Sequence, residues 1–119
     1  MKTLKLSKKP YSPMQDLYEA IALIQNREEA QQFFEDLCTP AEVIAMQDRW
    51  RVVDLIRAGK PYRQIYEETG VSVTTVGRVA RSLMLGEGGY QLIYQRVEKK
   101  YDKKSQKTSN RSAKKRAAK

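Results

Sequence analysis

The residues that most restrict what this chain can become are Lys60 to Leu83, KPYRQIYEETGVSVTTVGRVARSL. Pro61 suits the first turn of a short helix, where its missing N–H would be an orphan in any case, and Ile65 is that helix's one strongly apolar position. Thr69 and Gly70 end it. Gly70 can take the positive φ of a sharp bend, Val71 tucks under the bend, and the Ser72 hydroxyl can cap the next helix. There Val76, Val79 and Leu83 recur at three- and four-residue intervals, which leaves Thr74, Thr75, Arg78 and Arg81 for the outside. This is the pattern of a helix-turn-helix. A single helix fits the major groove of duplex DNA, and small or polar side chains on its first turns can reach base edges while the preceding helix braces the backbone. A buried αα-hairpin would use the same glycine turn. It could not satisfy Lys60, Arg63, Arg78 and Arg81 together with the hydroxyls of Ser72, Thr74 and Thr75.

Charge does not establish the motif by itself. The net charge of +9 arises from Lys99 to Lys119, where ten Lys and Arg face Asp102 alone, so residues 1–98 balance to zero. At 119 residues the chain is one small domain with extensions, and a domain of that size hides only about two-thirds of its unfolded surface. There is no His, and Cys38 is the lone cysteine, which excludes His-based acid–base chemistry, the usual zinc sites and an intramolecular disulfide. Cys38 reads as a small core residue. Glu67 with Glu68, and Glu28 with Glu29, diverge on a helix and form no shared acid–base site. Gly86 to Gly89 lacks the Lys and Ser/Thr of a phosphate loop. An enzyme is therefore not expected, nor is a cofactor or metal. No apolar run approaches a membrane span or signal peptide, and the expected location is cytoplasmic.

In chain order, residues 1–12 form a flexible basic arm. Residues 13–97 form a helical domain, with the helix-turn-helix at about 60–84. Ser12 and Pro13 predict the start of a first helix to Gln25 with Met14, Leu17, Tyr18, Ile21 and Ile24 on one side. A second helix opens at Arg27 and ends near Cys38. Thr39, Pro40 and Glu42 are the cap, first residue and capping-box acid of a long helix ending before Gly59. Its Val43, Ile44, Met46, Trp50, Val52, Val53, Leu55 and Ile56 cover over half its circumference. So small a chain can hardly bury that much by itself, so a second subunit is expected to cover part of it; the alternative is a central helix wrapped entirely by its own chain. After the glycine loop a last helix carries Tyr90, Leu92, Ile93, Tyr94 and Val97. Residues 98–119 then form a low-complexity basic tail, expected to be disordered.

The run from Leu37 to Leu83, opening Leu-x-Thr-Pro-x-Glu, passing an Arg-x-Arg-Val-Val segment and a glycine, and ending in the helix-turn-helix, resembles the Trp repressor core, and most closely its YerC/YecD-type branch. The resemblance implies an all-α, six-helix intertwined homodimer whose reading heads enter successive major grooves of a near-palindromic operator, about 34 Å apart. It carries the family's guanine-reaching arginine onto Arg63, and its base-facing positions onto Val73, Thr74 and Gly77. Tyr62 and Tyr66 replace longer polar residues that face phosphate, in a linker one residue shorter. The co-repressor contacts of the family fall on Thr39, Arg49, Arg78 and Ser82. The glycine that leaves room for the ligand's indole is here Val79. Tryptophan is thus not the expected effector. Arg49, Arg78 and Ser82 either line a changed pocket or make structural or phosphate contacts.

The expected function is a sequence-specific, double-stranded DNA-binding transcription regulator, a repressor in the simplest case, with DNA contacts from Tyr62, Arg63, Tyr66, Ser72, Val73, Thr74, Thr75, Gly77 and Arg81. The competing reading is a nucleic-acid-associated adaptor or RNA-binding helical dimer whose affinity comes from the basic tail.

Overall fold

A computed structural model describes residues 11–102 of the chain. The basic arm lies outside the described residues save for Tyr11 and Ser12, and so does the tail beyond Asp102. The described residues form six helices and no strand: α1 (Leu17–Ala22), α2 (Arg27–Leu37), α3 (Pro40–Arg57), α4 (Tyr62–Thr69), α5 (Val73–Leu85) and α6 (residues 89–102). The all-α expectation is met. The described residues fall into two compact units that divide after Ile44, within α3.

In the first unit the expected helix from Pro13 to Gln25 is shorter than its apolar spacing suggests. Ser12 and Pro13 begin a turn instead, in which the Gln15 amide donates to the Ser12 carbonyl at 2.8 Å. The helix waits for Asp16, whose carboxylate accepts the amides of Tyr18 and Glu19 at 2.9 and 3.3 Å. A charged acceptor makes a stronger cap than a hydroxyl, so Asp16 sets the boundary. Asn26 likewise sets a helix boundary. It caps α2, accepting the Glu29 amide at 2.8 Å. The capping box of α3 forms as its residues predict: the Thr39 amide donates to Glu42 Oε1 at 2.8 Å, and the Glu42 amide to Thr39 Oγ1 at 3.2 Å. The bond from the Thr39 backbone amide, then that from its side chain, holds the Glu42 carboxyl below its ordinary value. Neither α1 nor α2 contains a buried residue, and Met14, Tyr18, Leu23 and Ile44 remain mostly exposed.

The second unit holds the core. Val52 and Val53 of α3, Ile65 of α4, Val71 of the turn, and Val76 and Val79 of α5 form one buried cluster. All six are β-branched, so each loses little side-chain freedom when locked in place and fixes the approach of its helix closely. Of the broad apolar surface on α3, only Val52 and Val53 are fully covered, while Trp50, Leu55 and Ile56 are partly so.

α6 closes over the C-terminal half of α3 through aromatic contacts. The ring of Tyr90 stacks on Trp50 at 6.4 Å, and the Arg57 guanidinium lies 4.4 Å above the Tyr94 ring. The Tyr94 hydroxyl donates to Asp54 Oδ1. The helix continues through residue 102, past the change of composition at Lys99, because Lys is a good helix former and a run of cations does not by itself stop a helix.

The bond to Asp54, then burial, raises the Tyr94 phenol above its ordinary value of 10.0. An acid whose folded pKa is raised contributes stability that is complete below the free value and lost as pH climbs through the raised one. Tyr94→Phe should therefore lower the melting temperature at neutral pH and flatten the alkaline fall in stability above pH 10. Thermal unfolding from pH 7 to 11 checks both.

Candidate nucleic-acid interface

The turn between α4 and α5 is assembled from short-range bonds. Pro61 stands just before α4, at the cap position rather than inside the helix, with its side chain making no cap bond. Gly70 ends α4 at φ +78°, in the left-handed region that favours glycine, and its amide donates to the Tyr66 carbonyl at 2.7 Å. Thr69 ties the bend from both sides: its hydroxyl donates to the Ile65 carbonyl at 2.7 Å and accepts the Val71 amide at 3.1 Å. Ser72 then caps α5, accepting the Thr75 amide at 3.1 Å and donating to the Thr75 hydroxyl at 3.0 Å. With Ile65, Val71 and Val76 buried beneath, the two helices are held as one rigid piece.

That arrangement decides which side chains face out. On α4, Tyr62, Arg63 and Tyr66 are exposed; on α5, Val73, Thr74, Arg78 and Arg81 are exposed, while Thr75 and Gly77 are half-buried. All of these residues stand on the paired helices α4 and α5 of the second unit, and Tyr62 and Gly77 are near neighbours across them. The structure also sorts them. The hydroxyls of Ser72 and Thr75 already bond each other and the helix end, so their first role is to hold α5. Lys60, counted by its sequence among the outward cations, is engaged with Glu68 at 3.0 Å. Gln64, then Lys60, holds the Glu68 carboxyl below its ordinary value. Arg63 meets Glu67 at 3.7 Å with both side chains largely in water, a contact worth little, so the guanidinium can readily exchange it for another partner. α5 carries no acidic residue to repel a phosphate backbone.

One relationship is not visible in the motif. The edge of the Tyr62 ring lies 3.9 Å from where a Cβ on Gly77 would sit. The available sequence signal was a glycine in the interior of a helix, a position where it is costly.

Residues 12–98 match the family described as Trp repressor protein. The chain belongs to the Trp repressor family. It is 36% identical to the YerC protein of Bacillus subtilis (strain 168) over 71% of its own length and 81% of that protein's. Among solved structures it resembles a TrpR-like protein from Eubacterium eligens ATCC 27750, with a TM-score of 0.64 and 38% identity over 68% of this chain and 84% of that one. It also resembles a candidate Trp repressor from Staphylococcus aureus, with a TM-score of 0.65 and 41% identity over 69% and 82% of the two chains. Family membership makes this a DNA-binding transcription regulator with a helix-turn-helix, and not an enzyme.

The positions expected from the sequence resemblance to be co-repressor contacts are dispersed in character. Arg49, Arg78 and Ser82 are exposed. Thr39, in the first unit, is engaged in the capping box of α3. Ser82 lines an open hollow of about 590 Å³ with Trp50, Tyr90, Ile93 and the glycine loop. Val79 is 2% exposed and belongs to the buried cluster with Val52 and Val53. Its isopropyl group is thus structural mass between α3 and α5. Replacing it by glycine would remove that mass and place a poor helix former inside α5. Val79→Gly should cost about 2–4 kcal/mol of unfolding free energy, read from urea denaturation.

Proposed function

We propose that this member of the Trp repressor family works as a homodimeric repressor that reads a near-palindromic operator and does not respond to tryptophan. The observation that carries the reading is the inside-out division of the helix-turn-helix: Ile65, Val76 and Val79 are buried, while Arg63, Val73, Thr74 and Arg81 face out beside a helix start free of acids. Tyr62, Arg63 and Tyr66 of α4 contact phosphate and an outer base, and the first turns of α5 contact base edges. The working domain is residues 13–97, and the basic arm and tail add phosphate contacts without sequence information. Its place of action is the cytoplasm.

Dimerisation is supported by the first unit, whose α1 and α2 contain no buried residue although Met14, Leu17, Tyr18, Leu23 and Leu37 are apolar and exposed. Helices of 6 and 11 residues are too short to persist in water on their own propensity. A second copy supplies the missing cover, and a twofold body matches a palindromic site.

Selection of bound duplexes from random DNA by purified full-length protein should return a sequence with two related half-sites. Arg63→Ala should relax the preference at one position per half-site by about 1–3 kcal/mol. Removal of residues 99–119 should mainly flatten the salt dependence. Loss of preference on tail removal, with Arg63→Ala silent, would favour an RNA-associated or adaptor role instead.

The second test concerns the effector. Val79 occupies the place of the family's glycine, and adding such a group to a fixed cavity costs about 1–3 kcal/mol. Titration calorimetry with L-tryptophan should show no binding up to millimolar concentration; micromolar affinity would refute this part of the proposal.

A further inference from the structure

Gly77 lies in the middle of α5, with four helical residues before it and eight after it in Val73–Leu85. Its φ is not positive, so the backbone does not require glycine there. Packing does not require it either. Among the described residues, outside α5's own backbone and the chain neighbours, an added Cβ would meet the Tyr62 ring edge at 3.9 Å, an ordinary van der Waals distance. Glycine is nevertheless the poorest helix former after proline. A residue that weakens its helix, and that neither the turn nor the core demands, points to something outside the chain that must come close to the helix backbone.

The neighbours of Gly77 on the helix surface indicate what that is. Val73 precedes it by four residues and Thr74 by three, so both lie on the adjoining turn, and Arg81 follows by four. Val73 is 48% exposed, so its side chain is open to a partner on this face of the helix. Val73 and the bare Gly77 thus leave an apolar strip one turn long on the helix surface, flanked by Thr74 and Arg81. Tyr62 bounds it near Gly77. No side chain here has the paired donor and acceptor of an amide. The apolar feature of the major groove is the 5-methyl group of thymine.

We infer that Val73 and Gly77 form a notch that receives a thymine methyl group, so that each operator half-site carries an obligatory thymine read by shape rather than by hydrogen bonds. The inference rests on the DNA-reading proposal above and adds the residues and the base that set its specificity. A Cβ on residue 77 would fill the notch.

Two measurements on the full-length protein test this. In the first, Gly77→Ala is compared with the wild type in thermal unfolding and in binding to the selected duplex. The melting temperature should rise by about 4 °C or more, since alanine fits the helix and clears Tyr62, while affinity falls at least tenfold. Unchanged affinity, or a less stable protein, would overturn the inference. In the second, each thymine of the duplex is replaced in turn by deoxyuridine, which removes only the methyl group. One position per half-site should lose about three- to fivefold in affinity, the worth of one buried methyl, and Val73→Ala should abolish that sensitivity. If the protein selects a DNA sequence but no thymine methyl matters, the notch is wrong and the DNA-reading proposal stands. If it selects no duplex sequence at all, both fall.

Discussion

The contact on which the functional surface depends is the clasp between α3 and the helix-turn-helix, made by Val52 and Val53 on one side and Ile65, Val76 and Val79 on the other. Among the described residues these are the few that are completely buried, and all are β-branched and stiff. Because the cluster is so small, each member fixes more of the geometry than it would in a large core. A shift of α5 against α3 would move Val73, Thr74 and Arg81 together, so the clasp fixes the geometry of the proposed reading surface. The turn adds the second restraint, with Thr69, Gly70 and Ser72 holding the angle between α4 and α5 through bonds that use no long-range contact.

Val79 shows how the same clasp bears on regulation. In a reading head braced by a ligand, the space between the long helix and the recognition helix must be open to that ligand. Here an isopropyl group is packed into the protein's own core, 2% exposed, while Arg49, Arg78 and Ser82 stand in solvent. A residue cannot both complete a hydrophobic cluster and leave a cavity. On the proposed reading, the polar positions outlast the vacancy that would admit an effector, and their exposed cations are open to phosphate instead. The hollow that Ser82 does line is open, and borders the glycine loop and α6.

The first unit presents the opposite case. Its helix ends are well made, with Asp16, Asn26 and Thr39 each accepting backbone amides, yet neither α1 nor α2 buries a side chain. Caps determine where a helix begins; they do not supply the burial that keeps short helices folded. The apolar surfaces of this unit are the strongest physical reason for the proposed second copy.

Much of this was legible in the residues themselves. The turn at Gly70, the caps at Ser72 and Thr39, the capping-box Glu42, and the inward positions Ile65, Val76 and Val79 all follow from local chemistry and helical period, because they depend on neighbours no more than four residues away. The reach of the first helix was not legible: an apolar spacing that continues through Met14 says nothing about whether Ser12 or the nearer Asp16 captures the free amides. Nor could sequence show that Lys60 is drawn to Glu68, that Tyr94 anchors α6 on Asp54, or that Tyr62 lies beside Gly77, since those pairs are joined only when separate helices meet. The sequence by itself determined which segments become helices and which faces turn inward, through periodicity and capping. Only the tertiary structure decided which polar groups remain available to a partner, because availability depends on side chains brought together from distant parts of the chain.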